Sequence, residues 1–511
     1  MTDSVAEGAA AGRAHETVAA RPGGTSAEPS APAASAGRGR APRPGQPRFG
    51  PVFAVVTAGI AVVNLDLFIV NVALPSMARS FGQHGLGDLS WVLNAYAIVY
   101  ASLLVLFGRL ADRYRRERGF LIGVGVFVAA SAACAAATSL PMLIAFRVLQ
   151  AAGAALLTPT SLGLILASFP PERRQSAVRT WTAVGGFAAA LGPAVGGVLV
   201  EASWRWVFLV NVPIGLAALA AGWLLLPEVP GHPIRRPDAL GALLVTGGVA
   251  ALALGLVQGG SWGWGDTRTV LVLALSAVCL ALFAAHTARA RNPLVDPALF
   301  KARAFTGASA VAVVFSMAFG AMLLSRVLWA QDVWHWSALA TGFSIVPGPI
   351  MVPFFSFLVA GRMIARFGAG MVIATGSALF AAGMVWMALA AGLHPDYVGE
   401  VLGGMILSGA GVGLTLPTLM GTAASSLPPT SFATGSAVVN MLRQVGLAIG
   451  VAVFIAVLGS PVSPAATLAA YQRSWLVTAA IAMAGGVVAL ALLTNRRRVV
   501  VEAPAVATSN G

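Results

Sequence analysis

The sequence predicts an all-α membrane protein with fourteen transmembrane helices, built as two six-helix halves with a two-helix insertion between them. Three observations carry that prediction. Apolar runs of about 20 residues, the length that crosses a hydrocarbon core, recur from residue 52 to residue 494. Charged residues make up only 10% of the 511 positions and hydrophobic ones 58%, whereas a soluble domain carries about 25% charge. Two stretches of the chain also reappear eight runs later.

The elements follow in order. Residues 1–50 are rich in Ala, Pro, Gly, Ser and Arg and have no apolar core. They are expected to be a disordered cytoplasmic tail rather than a signal peptide. The N-terminal half, 51–228, carries runs at 52–74, 90–111, 118–137, 140–163, 177–200 and 206–227. Residues 229–304 hold the insertion, with runs at 238–260 and 268–287 and flanking loops. The C-terminal half, 305–494, carries runs at 305–329, 339–361, 368–390, 398–420, 436–458 and 472–494. Residues 495–511 form a second cytoplasmic tail. No barrel-like alternation occurs, and an open sheet edge is excluded in lipid.

The halves are repeats. "AAGAALLTPTSLGLILASFPPE" (151–172) aligns without a gap on "GAGVGLTLPTLMGTAASSLPPT" (409–430), with Gly153/Gly411, Pro159/Pro417 and Thr160/Thr418 among the identities. "GRLADRYR" (108–115) aligns on "GRMIARFG" (361–368) at nearly the same separation. The fourth run therefore corresponds to the twelfth and the second to the tenth. Halves repeated in parallel suggest a transporter that rocks around a site at the membrane midplane.

Charge sets the orientation and removes several function classes. The net charge is +14, but most basic residues lie in short loops on one side of the runs. That bias puts both termini in the cytoplasm of a multi-pass plasma-membrane protein and argues against a nucleic-acid partner. Lys301 is the sole lysine and lies outside any G-x-x-x-x-G-K-[ST] stretch, so a P-loop motor is absent. The histidines have no metal-ligand spacing. Cys134 and Cys279 fall in separate runs and read as small buried side chains. No nucleophile–base constellation emerges, so the chain is not expected to be an enzyme, and no metal or cofactor is expected beyond the proton gradient.

Asp66 is the one acid in its run, roughly 21 Å along the helix axis. A carboxylate at that depth costs roughly 2.5–3.5 kcal/mol on insertion scales, so it is a candidate proton carrier. Burial favours its neutral form and a nearby cation its charged form. Arg147 in the fourth run is the candidate cation; the plainer alternative is a static buried ion pair. Asp112, in the loop "GRLADRYRRERG" (108–119), can accept from helix N-terminal amides and from arginine. With Gly108, Arg113 and Arg116 it could latch one conformation, or the loop could simply be an orientation signal. Arg326 lies near the outer end of the ninth run, beside Trp329, Trp334 and Trp336. Either it snorkels to the outer surface or it faces the outer mouth of a central cavity and attracts an anionic group on the substrate or a carboxylate of another helix. Glu400 reads as an acid at or near the outer face.

These stretches resemble the major facilitator superfamily. Gly108, Leu110, Asp112, Arg113 and Arg116 match its loop signature, with Arg115 in place of a glycine and Glu117 in place of a base. "AFRVLQAAGAALLTP" (145–159) is similar to its R-x-x-q-G-x-g signature through Arg147 and Gln150. "GFAAALGPAVGGVL" (186–199) resembles the antiporter signature through Gly192, Pro193, Gly196 and Gly197. "LDLFIVNVALP" (65–75) and "WRWVFLVNVPIG" (204–215) look like the fourteen-helix drug:proton antiporters, as do "LRQVG" (442–446) and Gln331. The resemblance covers residues 52–494.

The resemblance implies a proton-coupled antiporter exporting drugs, antibiotics or other amphipathic small molecules, working as a monomer. Asp66 and Arg147 would couple the proton. Gly108, Asp112, Arg113 and Arg116 would latch the halves. Asn71, Gln150, Gln331, Arg326, Asn440 and Arg443 would be candidates for the substrate path. Two alternatives stay open: a proton-linked importer or uniporter of a metabolite, and a non-transporting membrane receptor or scaffold.

Overall fold

A computed structural model of the chain describes residues 49–82, 86–231, 238–459 and 461–494. The expected tails, apart from residues 49 and 50, lie outside the described residues. Among the described residues there is no strand. The first half consists of α1 (Phe49–Phe81), α2 (Leu86–Arg113), α3 (Arg116–Ala136), α4 (Leu140–Ser168), α5 (Pro171–Ala202) and, after a helical turn at Trp206–Leu209, α6 (Asn211–Leu225). α7 (Ala239–Trp262) and α8 (Thr267–Arg289) follow, then α9 (Arg303–Leu328), which continues into a π turn at Trp329–Val333.

Next comes a helical stretch of 52 residues, Leu339–Ala390. At 1.5 Å per residue it is more than twice as long as one crossing requires. Gly368 resolves this: its φ of 81° and ψ of 164° break the helix. The stretch is therefore two crossings, and the thirteen membrane-length segments become fourteen. We call the part from Ala338 to the break α10 (segments Ala338–Ile345, Pro347–Phe354 and Phe355–Ala360 and the first turns of Gly361–Ala390) and the part after it α11. A π turn at Tyr397–Leu402 leads into α12 (Gly403–Ser425), and α13 (Phe432–Leu458) and α14 (Pro464–Leu493) complete the bundle. Local chemistry starts several of these helices. Asp238, Ser337 and Ser463 accept from backbone amides of the first turns they open, as N-cap residues do. Pro171 and Pro464 occupy the first helical position, where a missing N–H costs nothing.

Packing repeats with the sequence. In the first half α3 lies on α4, α1 on α5, α2 on α4, α3 on α6 and α1 on α6. Adding eight to each label gives the neighbours of the second half: α11 on α12, α9 on α13, α10 on α12, α11 on α14 and α9 on α14. The halves meet through α2 with α13, α4 with α13, α5 with α12 and α5 with α10. α7 and α8 pack on each other, with α7 also against α2 and α13. Most of α8 is exposed, including Leu271, Leu275, Val278 and Leu282, as suits a helix facing lipid.

The repeated glycines explain the repeated crossings. A Cβ on Gly153 would lie 2.7 Å from the Phe127 amide nitrogen and 3.0 Å from the Gly123 carbonyl oxygen of α3. Its counterpart Gly411 would put one 2.6 Å from the Phe380 amide nitrogen of α11. Both pairs of helices touch backbone to backbone, which only a residue without a side chain permits. Gly411→Ala should therefore destabilise the protein by about 1–3 kcal/mol, the usual cost of overpacking. Gly125→Ala in α3, where nothing lies within 4 Å, should leave stability unchanged or raised. Thermal unfolding of the two variants in detergent checks this; equal melting temperatures would refute it.

Candidate functional site

α1 carries Asp66 into the centre of the first half, fully buried. An unpaired carboxylate there would cost several kcal/mol, and the surroundings supply three donors. Arg147 Nη1 of α4 donates to Oδ2 at 2.6 Å. Gln150 Nε2, one turn along α4, donates to Oδ1 at 2.9 Å. Asn211 Nδ2, at the start of α6, donates to the same oxygen at 2.7 Å.

Arg147 is itself held on several sides. Nε donates to the Val92 carbonyl of α2 at 3.1 Å, and Nη1 also donates to Gln150 Oε1 at 2.6 Å. Its guanidinium lies 4.1 Å from the Tyr96 ring centroid and 5.7 Å from that of Phe208. Gln150 Nε2 further donates to Ser131 of α3 at 2.7 Å, and Ser131 passes the chain on to the Phe127 carbonyl at 2.7 Å. Arg147 Nη2, the Tyr96 hydroxyl and Asn211 Oδ1 have no partner among the described residues. Five helices thus converge on one carboxylate, with polar capacity in reserve. Protonating Asp66 would remove the counter-charge of Arg147 and loosen contacts to α2, α3, α4 and α6 together. Asn211, Ser131 and Tyr96 were not among the site residues read from the sequence. Their only signal was a polar group within an apolar run.

The antiporter stretch of α5 flanks this site. A Cβ on Gly192 would lie 3.0 Å from the Ile69 amide nitrogen and 3.1 Å from the Leu65 carbonyl oxygen. One on Gly196 would lie 2.9 Å from the Ile69 carbonyl oxygen. These glycines bring α5 against the turns of α1 beside Asp66. Pro193 and Gly197 serve another contact. A Cβ on Gly342 would lie 2.8 Å from the Pro193 carbonyl oxygen, and one on Gly197 3.2 Å from Leu339 Cα. Both partners belong to α10, in the other half.

Asp112, at the end of α2, makes the second inter-half contact. It is fully buried. Its oxygens accept from the Ala433 amide at 2.9 Å, the Thr434 amide at 2.7 Å and the Thr434 hydroxyl at 2.6 Å. Those amides open α13, so an acid of one half sits at the positive end of a helix of the other. Arg116 Nη2 bridges Asp112 at 3.2 Å and the Pro429 carbonyl at 3.1 Å. Gly108 admits α13: a Cβ there would lie 2.9 Å from the Ala433 carbonyl oxygen. Arg113 stands apart, 5.5 Å from the Tyr114 ring. The residues that depart from the family signature act elsewhere. Arg115 pairs with Glu117 and, at 2.7 Å, with Glu228, while Glu117 accepts from the Val229 amide at 2.9 Å. Hydrogen bonding to Arg115 holds the Glu228 carboxyl below its ordinary range. They fasten the segment after α6 to the α2–α3 loop.

The residues expected on a substrate path separate. Asn440 and Arg443 stay together on α13, with Arg443 Nη1 donating to Asn440 Oδ1 at 3.2 Å. Across the interface Tyr100 of α2 lies within electrostatic reach of Arg443 and shares a 3.0 Å hydrogen bond with Thr158 of α4. Gln331 is half-buried in the π turn after α9. The side chain of Asn71 lies outside the described residues. Gln150 is fully buried, with both its nitrogen and its oxygen engaged in the Asp66 network. Arg326 neither snorkels nor lines the interface between halves. It is 1% exposed and walled by Trp329, Met387, Glu400 and Trp475, all of the C-terminal half. Glu400, read as an acid in or near the outer face, lies in the π turn at Tyr397–Leu402 and is 9% exposed.

Residues 56–451 match the family model described as Major Facilitator Superfamily. The chain is 36% identical to the cephamycin export protein of Amycolatopsis lactamdurans, over 85% of this chain and 89% of that one. It is 34% identical to the puromycin resistance protein of Streptomyces alboniger, over 85% and 88%. With the tetracenomycin C resistance and export protein of Streptomyces glaucescens the identity is 32%, over 81% and 76%. The fold is similar to that of the human organic anion transporter, with a TM-score of 0.63 at 15% identity over 87% of this chain and 100% of that one.

The Asp112 contact has a direct test. A hydrogen bond to a charged group contributes roughly 1.5–3 kcal/mol. In Asp112→Ala, amide hydrogen exchange over residues 429–436 should speed up about tenfold or more, while α3 and α4 keep their protection. Unchanged exchange there would show that Asp112 does not hold α13.

Proposed function

This chain belongs to the Major Facilitator Superfamily, and we propose that it exports antibiotics or other amphipathic small molecules in exchange for protons. The observation that carries the reading is the fully buried Asp66 with its three donors from α4 and α6. An ionisable group held inside the membrane by exchangeable hydrogen bonds is suited to take a proton from one side and give it to the other. The names of the cephamycin, puromycin and tetracenomycin relatives support the outward direction and the substrate class.

In this reading Asp66 alternates between two states. Ionised, it holds Arg147, Gln150 and Asn211 as observed. Protonated, it releases them and lets α1 move relative to α4 and α6. α1 packs on α5 through Gly192 and Gly196, and α5 touches α10 through Pro193 and Gly197. A proton at Asp66 is thus felt at the contact between halves. The Asp112–α13 contact is the latch that the opposite movement must break. Asn440 and Arg443 of α13, with Tyr100 of α2 within electrostatic reach of Arg443, offer polar groups for a substrate. The arginine-rich loops lie on the cytoplasmic side of the plasma membrane with both termini, and one copy contains both halves of the machine. The proton gradient is the only energy source required.

Asp66→Asn keeps the shape and removes the titration. It also leaves Arg147 uncompensated, at a cost of about 3–5 kcal/mol, so the double variant Asp66→Asn with Arg147→Gln is the companion. In proteoliposomes loaded with an amphipathic antibiotic, both should lose export driven by a pH gradient, while exchange of labelled for unlabelled antibiotic without a gradient persists. Gradient-driven export at the wild-type rate by either variant would overturn the assignment. Gradient-driven movement in the same direction as the proton would replace the exporter with an importer.

A further inference from the structure

Arg443 is a cation without an anion. It lies on α13, about 16 Å along the axis from the start of the helix at the arginine-rich end. That is close to the middle of a hydrocarbon core about 30 Å thick. Its guanidinium makes one hydrogen bond among the described residues, from Nη1 to Asn440 Oδ1 at 3.2 Å. Nε is buried without an acceptor. No carboxylate pairs with it among the described residues.

The elements packed around it supply no counter-charge. α13 is flanked by α2 and α4 of the first half, by α9, α12 and α14 of the second, and by α7 of the insertion. Within their helical bounds α4, α7, α9, α12, α14 and α13 itself hold no Asp or Glu. α2 holds Asp88 and Asp112, at its opposite ends, and Asp112 is spent on the amides that open α13. Asp66 of α1 is spent on Arg147, Gln150 and Asn211. The titratable group within electrostatic reach of Arg443 is Tyr100, whose hydroxyl is shared with Thr158.

The place is also open. Protein surrounds Arg443, yet the residue is only half-buried, as is each of residues 441–445. Surface left accessible inside the protein mass is surface that a solute can reach. A charge at this depth is costly, and such a group by default marks a substrate or ion pathway.

We infer that Arg443 selects substrates that carry a negative charge, a carboxylate above all, by pairing with it between the halves. This rests on the export reading and adds the substrate class to it. A guanidinium is matched by a carboxylate in both charge and hydrogen bonding, and this one has donors to spare. An anionic substrate brings the counter-charge that the chain omits. A neutral substrate leaves the cation unpaired, and a cationic one adds repulsion. Asn440 positions the arginine: its oxygen holds Nη1, while its Nδ2 donates to the Ser436 carbonyl at 3.0 Å.

The experiment measures equilibrium binding to the full chain in lipid nanodiscs at about pH 8, where a carboxylic acid is ionised. The probes are pyrenebutyrate and pyrenebutyramide, alike in size and apolar surface and different in charge. Saturable energy transfer from the protein's tryptophans to the pyrene reports occupancy. The wild type should bind the carboxylate about tenfold or more tightly than the amide, as one charge-assisted hydrogen bond allows. Arg443→Lys keeps the charge and should still favour the carboxylate. Arg443→Gln should erase the preference. Asn440→Asp retains the arginine and sets a carboxylate against it from within the chain, so it should erase the preference too, and it tests the charge even where Arg443→Gln fails to fold. No saturable binding of pyrenebutyrate by the wild type, equal affinities for the two probes, an equal loss of both in Arg443→Gln, or a wild-type ratio in Asn440→Asp each overturns the inference. No proton gradient is involved. Failure of the Asp66 experiment would leave a carboxylate preference standing, and absence of the preference would leave proton-driven export standing.

Discussion

The ion pair between Asp66 and Arg147 is the constraint around which the first half is organised. Two opposite charges in hydrocarbon are tolerable only if nearly every lone pair and proton finds a partner. That requirement reaches well beyond the pair. It fixes Gln150 one turn from Arg147, Ser131 on α3 to orient Gln150, and Asn211 at the first position of α6. It also places the Tyr96 ring over the guanidinium. Each partner comes from a different helix or a different turn, so the network acts as a joint. Changing the charge of one carboxylate changes what all those helices are fastened to.

Movement at that joint has two ways to reach the other half, and they differ in chemistry. Near the end where α5 finishes and α10 begins, the halves touch through backbone and small side chains, Pro193 and Gly197 against Gly342 and Leu339. Such a contact is non-polar and can slide. At the arginine-rich end, Asp112 is bound to the amides that open α13 and bridged by Arg116. That contact is directional and either made or broken. A rocking motion needs this asymmetry: one seam that rolls and one that unlocks. On another face of the same stretch of α5, Gly192 and Gly196 hold α5 to α1 beside Asp66.

Much of this was legible in the sequence because lipid imposes length. Fourteen runs of membrane-spanning length had to be fourteen helices, and even the division at Gly368 falls where the run 368–390 begins. The gapless match of 151–172 to 409–430 foretold the duplicated crossing at Gly153 and Gly411. Asp66, Arg147 and Asp112 stood out because a charge in an apolar run, or an acid at a helix junction, is conspicuous. Asn211 and Ser131 were not conspicuous. A single amide or hydroxyl is common in such runs, and only tertiary packing brings these two to the same carboxylate. Gln150 was equally hard to assign: its polarity alone did not tell that its amide joins Arg147, Asp66 and Ser131. The tryptophans beside Arg326 read as an interface anchor, and only tertiary packing shows that the carboxylate nearest it is Glu400. The π turns at Trp329–Val333 and Tyr397–Leu402 alter the local pitch in ways that a period of 3.6 does not anticipate.

The two buried charge sites show what duplication conserves. The shift of eight helices carries α1 onto α9 and α4 onto α12. In the first half the acid is on α1 and the base on α4; in the second the base is on α9, and the acid is at the turn that opens α12. The crossing glycines that govern how closely these helices pack are retained in both halves. The signs of the charges are exchanged. Close packing tolerates no added atom, so those positions are bound to one residue. Electrostatics in a low-dielectric interior demands only that opposite charges face each other, and that demand is met with the acid on either helix. Duplication therefore preserves the frame while leaving the charge pattern free, and the halves of one fold hold an ion pair in one case and a separated acid and base in the other.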